Sequence, residues 1–187
     1  KRAGAQFKSG SIQQGLINFL CDRVEGGLSS LIFPAFNYTY GQKRVFDVDS
    51  DPVQIGSLIE WVRLKNKMYR SHVPFFSFIS GKSLNLDTSG SINPFGENSG
   101  FNWLVENDAK ILLFGAFLHN VTFIHYAEEI SGKPLYRYDK SFPGQIISNG
   151  IMRDCKFAMH VRPMGTNLDY NWDMIEADLA AANILQE

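Results

Sequence analysis

Only two cysteines, Cys21 and Cys155, stand among the 187 residues, too few for a disulfide framework or a four-ligand zinc site. Both read as reduced thiols. An excess of charge is missing too: 18 Lys and Arg against 19 Asp and Glu leave a net charge of -1, so no positive field gathers nucleic acid or anionic lipid. A nucleic-acid partner is disfavoured. No apolar run reaches the roughly 18–20 residues that a bilayer span needs, and no basic segment followed by an apolar one marks a signal peptide. The sequence is therefore expected to be cytoplasmic, with no membrane partner. Neither GxxxxGK[ST] nor GxGxxG occurs, which leaves no triphosphate or dinucleotide loop to argue from. The first residue is Lys1 rather than Met, and residues 1–187 are read as one domain truncated at both ends.

What is present is an apolar and aromatic chain, 44% hydrophobic with 15 Phe, spread without a break in composition. Residues 12–23 carry Ile12, Leu16, Phe19 and Leu20 on one helical face, with Ser11 as cap and Gly26-Gly27 as stop. Residues 28–36 read as a buried strand, 38–51 as a long loop, and 52–62 as a helix capped by Asp51 with Ile55, Leu58, Ile59 and Val62 as its stripe. A strand at 73–80 and a loop at 84–100 follow. The uniformly apolar run at 110–116 is the expected central strand. Asn120 then caps a helix with Phe123, Tyr126, Ala127 and Ile130 on one stripe and Thr122, His125 and Glu129 on another. Cys155, Phe157, Met159 and Val161 alternate with Lys156, Ala158, His160 and Arg162 in a further strand, and a last helix covers 172–185. These elements predict a single α/β domain in which a mixed central sheet is flanked by helices.

A hydroxyl, an imidazole and a carboxylate at Thr122, His125 and Glu129 are the parts of a proton-transfer site, because imidazole titrates near neutrality and a carboxylate fixes its tautomer. Spacing alone leaves this beside the ordinary reading of a helix-surface histidine. A metal site is not expected, since His119 and His125 are six residues apart across a helix start. Cys155 falls on the apolar face of its strand while His160 points to the other, which argues against a thiol nucleophile. Arg70-Ser71 at a helix end reads either as an anion contact or as compensation of the helix dipole.

Five segments, kept in order, resemble the aminoglycoside 3-N-acetyltransferase family: LIFPAFNYT at 31–39, FDVDSDPVQIGSL at 46–58, RSHVPFFS at 70–77, NPFGENSGFNWLVENDAKILLFGA at 93–116 and NVTFIHYAEE at 120–129. The last resembles the family's Thr-x-x-His-x-x-Glu signature. The resemblance implies a fold distinct from the GNAT acetyltransferases and direct transfer of an acetyl group from acetyl-CoA to an amine of a sugar. It implies His125 as general base, Thr122 beside the thioester, and Arg70 and Ser71 on the CoA chain. The carboxylate that orients His125 is expected later in the chain, at Asp169, with Asp173, Glu128 (which matches the family glutamate) and Glu129 as alternatives. Two departures stand out: Val73 replaces the histidine before the motif's proline, and the family's N-terminal His-Ser-Ser-Leu segment is absent. Lys43 and Arg44 in the tyrosine-rich loop and the modest net charge suit a polycation poorly. The expected acceptor is therefore an amino sugar or sugar nucleotide of surface-polysaccharide synthesis. An antibiotic-modifying enzyme and a non-catalytic CoA- or carbohydrate-binding protein are the alternatives.

Overall fold

A computed structural model describes residues 9–86, 88–132, 134–165 and 169–185. In chain order the first elements are α1 (Ser9–Cys21), β1 (Ile32–Pro34), α2 (Tyr40–Lys43), β2 (Val45–Asp47), α3 (Ser57–Lys65), β3 (Tyr69–Arg70), β4 (Phe78–Ser80) and β5 (Ser91–Ile92). They are followed by α4 (Gly100–Glu106), α5 (Phe123–Ile130), β6 (Tyr138–Ser141), β7 (Gly144–Ser148), β8 (Ile151–Val161) and α6 (Trp172–Ala181). Short 3-10 turns at Gly27–Ser30 and Leu118–Asn120 complete the described order.

The expected mixed α/β architecture is present. Its main sheet runs β2-β7-β8-β5 with β6 also paired to β8: β2 is parallel to β7, β5 is parallel to β8, and β6 and β7 are antiparallel to β8. β8 organises this sheet. Its first half pairs β7 (Gly144↔Cys155) and its second half pairs β6 (Tyr138↔Val161), with Phe142 N–H donating to the Phe157 carbonyl at 2.7 Å between them. The β7–β8 reversal is made by Asn149 and Gly150 at φ 52° and 74°, the left-handed pair that a two-residue hairpin demands. A smaller antiparallel sheet, β1-β4-β3, packs α1 and α3 through Ile17, Leu20, Phe33, Val62 and Ile79.

Several expected elements shift for local reasons. α1 starts at Ser9 and turns Ile17 and Leu20 inward, leaving Ile12 and Phe19 each 44% exposed. α3 starts at Ser57 instead of Pro52, because Gly56 at φ 104° interrupts the chain just before it. The strand expected at 73–80 is confined to β4, with Phe75 at φ 63° ahead of it. The largest correction concerns 110–116. That run forms no strand, and Ile111, Leu112 and Phe114 are 53%, 66% and 47% exposed. An apolar run becomes a central strand only where neighbours supply a ladder on each side, and no described strand lies alongside it. No described helix is long and apolar enough to cross a membrane.

What positions the site is the phenylalanine-rich cluster of Phe36, Phe78, Phe95, Phe101 and Tyr126, all buried. Phe78 and Phe101 meet edge to face at 5.1 Å, and Phe123 stands 6.1 Å from Phe101. Aromatic rings in this geometry stabilise beyond the area they bury. α5 is therefore clamped by its own inward face: Tyr126 is buried and donates its hydroxyl to Asn102 Oδ1 of α4 at 2.7 Å.

Candidate active site

His125 lies in the first turn of α5, its backbone N–H donating to the Thr122 carbonyl at 3.0 Å. Residues three apart on a helix lie on neighbouring positions of one face, so Glu128 reaches back to it. His125 Nδ1 is 2.8 Å from Glu128 Oε2. A carboxylate only accepts, so Nδ1 carries the proton and the lone pair of a neutral ring resides on Nε2. The histidine side chain is 27% exposed and the glutamate 7%, an arrangement of partly accessible imidazole over a buried anion.

Glu128 is heavily served. Tyr136 and Tyr170 donate their hydroxyls to its Oε1 at 2.9 and 2.7 Å, and Arg137 Nη2 is 3.1 Å from its Oε2. Arg137 Nη2 also donates to the Tyr170 hydroxyl at 2.6 Å. Burial alone would raise the Glu128 carboxyl, but the hydrogen bonds from His125, Tyr170 and Tyr136 and the Arg137 charge outweigh it and hold the value at about 2. Burial of Tyr170 and its bond to Glu128 push the Tyr170 phenol up, so it stays a donor. His125 is lowered from the ordinary imidazole value, first by burial and then by the Arg137 and His160 charges, against the opposing pull of Glu128. A lowered imidazole next to a fixed anion is neutral near pH 7 and has a definite tautomer, which is what a general base requires.

A second layer lies behind this pair. His160, on β8, is buried; its Nδ1 is 2.7 Å from Glu129 Oε2, and Glu129 Oε1 accepts from Asn93 Nδ2 at 2.9 Å. Phe95 stacks on the His160 ring at 5.1 Å and meets the His125 ring edge-on at 5.5 Å. The donor atoms of His125, Glu128 and His160 lie within 4.8 Å of one another, a set of the type that binds a divalent ion. Arg137 Nη2, 3.1 Å from Glu128 Oε2 and 3.3 Å from His125 Nδ1, already brings positive charge to that spot.

The expected site residues divide. His125 is in the centre, and Thr122 is the residue before α5, one turn earlier, with no capping bond from its hydroxyl. Glu129, expected on the His125 stripe, belongs to His160. Asp169 is corrected: it is exposed, and the later segment contributes instead its neighbour Tyr170, because the carboxylate on His125 is already supplied from within α5. Asp173, in the first turn of α6, is exposed as well. Of the acidic stretch expected from 167 onward, Asn167 and Leu168 lie outside the described residues. Arg70 and Ser71, which the resemblance places on the CoA chain, have partners within the fold. Arg70 donates to the carbonyls of Ala35, at 2.8 Å, and Asp51, and to Ser77 Oγ at 3.0 Å. The Ser71 hydroxyl accepts from Phe78 N–H at 2.9 Å. Their polar groups tie β3 and β4 to the chain around them.

Arg137, Tyr136, Tyr170, Asn93 and His160 were not legible as site residues. Asn93 and Phe95 lie within the 93–116 segment of the resemblance, and that was the available signal. The other four come from irregular loops and from a strand whose far face is buried as well, where periodicity carries no information about a neighbour 8 to 45 residues away.

Comparison with known proteins bears on the family and the fold. The family description "Aminoglycoside 3-N-acetyltransferase" matches residues 34–187, which include α5 and each of the site residues above. Among solved structures, the chain is similar to "AAC-IIIb binary with CoASH", with 20% identity over 91% of this chain and 72% of that one and a TM-score of 0.67. It is similar to aminoglycoside acetyltransferase AAC(3)-Xa, with 20% identity, 78% and 55% coverage and a TM-score of 0.60. Sisomicin-bound AAC-VIa gives 19% identity, 80% and 63% coverage and a TM-score of 0.61. The chain thus spans between 55% and 72% of the length of these three. No curated protein sequence matches it. With the matched region covering most of the sequence and the fold shared with three acetyltransferases, the chain belongs to the aminoglycoside 3-N-acetyltransferase family.

Proposed function

We propose that this protein is an acetyl-CoA-dependent N-acetyltransferase that acts on an amine of an amino sugar or sugar nucleotide, with His125 as general base. The observation that carries the reading is the buried, ionised Glu128 at 2.8 Å from His125 Nδ1, with the imidazole lowered from its ordinary value. The family membership supports the reaction class, and a relative solved with CoASH supports the co-substrate. His125 Nε2 takes the proton that the attacking amine loses as its nitrogen bonds to the acetyl carbonyl carbon. The carbon–sulfur bond then breaks, the sulfur leaves as a thiolate that we assign to a hydrogen bond from Thr122, and it takes up the proton held on the imidazolium to become the free thiol, which returns His125 to its neutral form. Glu128 orients the ring and stabilises the imidazolium that forms. Arg70 and Ser71 receive no role toward CoA, since their polar groups are engaged in the fold.

A second acceptor class has one observation in its favour: AAC-VIa was solved with the aminoglycoside sisomicin bound. The charge of this chain favours the less cationic acceptor, because a net charge of -1 gives little long-range attraction for a polycation. The test is release of free CoA, followed with a thiol reagent, from acetyl-CoA mixed with a panel of amino sugars, sugar nucleotides and aminoglycosides. Acceptor-dependent release is expected, and its absence across the panel overturns the reading. His125→Ala should lower kcat by roughly 10²–10⁴-fold while acetyl-CoA binding changes less than a few-fold. Unchanged turnover in that variant ends the assignment of the base.

A further inference from the structure

Behind the His125–Glu128 pair stands a second imidazole and carboxylate that the proposed reaction does not itself use. Glu128 and Glu129 are consecutive on α5, so their side chains leave the helix about 100° apart. Glu128 turns toward Arg137 and the two tyrosines, and Glu129 toward Asn93 and β8. His160 spans the two. Its Nδ1 is 2.7 Å from Glu129 Oε2, and its Nε2 faces Glu128 Oε2 at 3.4 Å. The ring cannot tilt freely, because Phe95 stacks on it with 28° between the planes.

The Nε2 atom is the informative one. It is buried without a hydrogen-bond partner among the described residues. Buried polar atoms are nearly always paired, so one aimed at a carboxylate and held just short of it marks a site under constraint. His160 is 2% exposed, on the longest of the described strands, where an apolar side chain would fill the same space at no polar cost.

We propose that His160 and Glu129 are positioning residues: Glu129 locks the His160 ring, and His160 fixes Glu128 Oε2 and through it the direction of the His125 ring. The inference rests on the reading of His125 as the base. Among the described residues, the titratable and charged groups facing His125 and Glu128 are Tyr136 and Arg137 from the loop after α5, His160 from β8 and Tyr170 ahead of α6, while Glu129 on α5 meets His160. Of these, His160 is the second imidazole, and its charge lowers His125, so its removal should be visible at His125 directly.

The test uses His160→Gln and Glu129→Gln in the full chain with two readouts. In turnover with the acceptor that the wild-type protein uses, kcat should fall about 10–100-fold in His160→Gln, and less in Glu129→Gln, while KM for acetyl-CoA stays within about twofold. In 15N NMR of the imidazoles, the His125 titration midpoint should rise in His160→Gln as the repulsion from the second ring is lost. Wild-type turnover with kcat unchanged in both folded variants overturns the inference and leaves the functional reading intact. A His125 midpoint unmoved in both also overturns it. No turnover by the wild-type chain with any amine overturns the functional reading, and the NMR midpoint then decides on its own whether His160 and Glu129 govern His125. Glu129→Gln keeps the side-chain shape while removing the charge and turning one acceptor oxygen into a donor, so it keeps the test decisive if His160→Gln fails to fold.

Discussion

Replacing Glu128 by Gln changes one oxygen to an amide nitrogen and removes one charge, and the surroundings of Glu128 define what that does. The carboxylate is 7% exposed and receives His125 Nδ1, Tyr136, Tyr170 and Arg137 at 2.7–3.1 Å. The glutamine oxygen can still accept, but its NH2 faces donors, and the Arg137 guanidinium, 8% exposed, is left without a counter-charge. Breaking a buried ion pair from one side costs about 3–5 kcal/mol. In a domain of this size each kcal/mol lowers Tm by ~2–4 °C, so a fall of ~6–20 °C is expected by calorimetry.

Catalysis should suffer independently of stability, because the His125 ring loses the acceptor that fixes its tautomer. A kcat lower by roughly 10²–10⁴-fold at temperatures where the variant is folded is the expected result in the thiol-release assay. Acid stability adds a third readout. The folded-state carboxyl titrates at about 2, below its ordinary value of 4.5, so its stabilisation is complete above about pH 4.5 and is lost as pH falls toward 2. Glu128→Gln should lack that acid limb. A variant with Tm within about 2 °C of wild type and kcat within about twofold would refute the reasoning, since neither the buried pair nor the orienting role could then be real.

Other substitutions test the rest of the reading. Gly144→Ala drives a Cβ into the Arg44 carbonyl oxygen, so the β2–β7 pairing must move; a loss of about 1–3 kcal/mol is expected from chemical denaturation, and a wild-type midpoint would contradict the register. Arg70→Ala should lower Tm, since the guanidinium joins Ala35, Asp51 and Ser77, and should leave KM for acetyl-CoA within about twofold on the folded protein. A large rise in KM with no change in Tm would restore the CoA contact to Arg70. Cys155, 4% exposed and with its thiol pushed up by burial, should be dispensable: Cys155→Ala keeps near-normal turnover, and no acetyl adduct forms on the protein with acetyl-CoA alone by mass spectrometry.

The parts of the fold legible in the sequence are those where a single period holds locally. The middle of β8 is one: alternation puts Cys155 and Phe157 inward, and both are buried, whereas at His160 the opposite face is buried too. α5 is another, with Tyr126 at the centre of the apolar stripe. The run at 110–116 forms no strand because an apolar pattern reports what a segment would bury, whereas forming a strand depends on partners that lie elsewhere in the chain. α3 shows the complementary failure. Its stripe was right, but a glycine at φ 104° moved the start, and backbone dihedrals are not written in hydrophobicity.

The site failed to be legible for a more specific reason. Thr122, His125 and Glu129 share a stripe on a helical wheel, while Glu128 enters only through the resemblance, so the two glutamates stand as alternatives for one role. In three dimensions they are two carboxylates for two imidazoles, each 2.7–2.8 Å from its own ring. The decision between them belongs to residues outside α5: Arg137, Tyr136 and Tyr170 draw Glu128 to His125, while Asn93 and His160 draw Glu129 to β8. The same logic accounts for Asp169. A carboxylate three residues from the base is held by the helix itself at little further cost in chain entropy, whereas one from residue 169 must be ordered across a loop. With the anion supplied locally, the distant segment contributes a hydroxyl, and Tyr170 bonds both Glu128 and Arg137 without adding a second negative charge to a buried pair. Charge is therefore drawn from the helix that carries His125, and the long-range contacts supply the neutral and cationic groups that keep that charge in place.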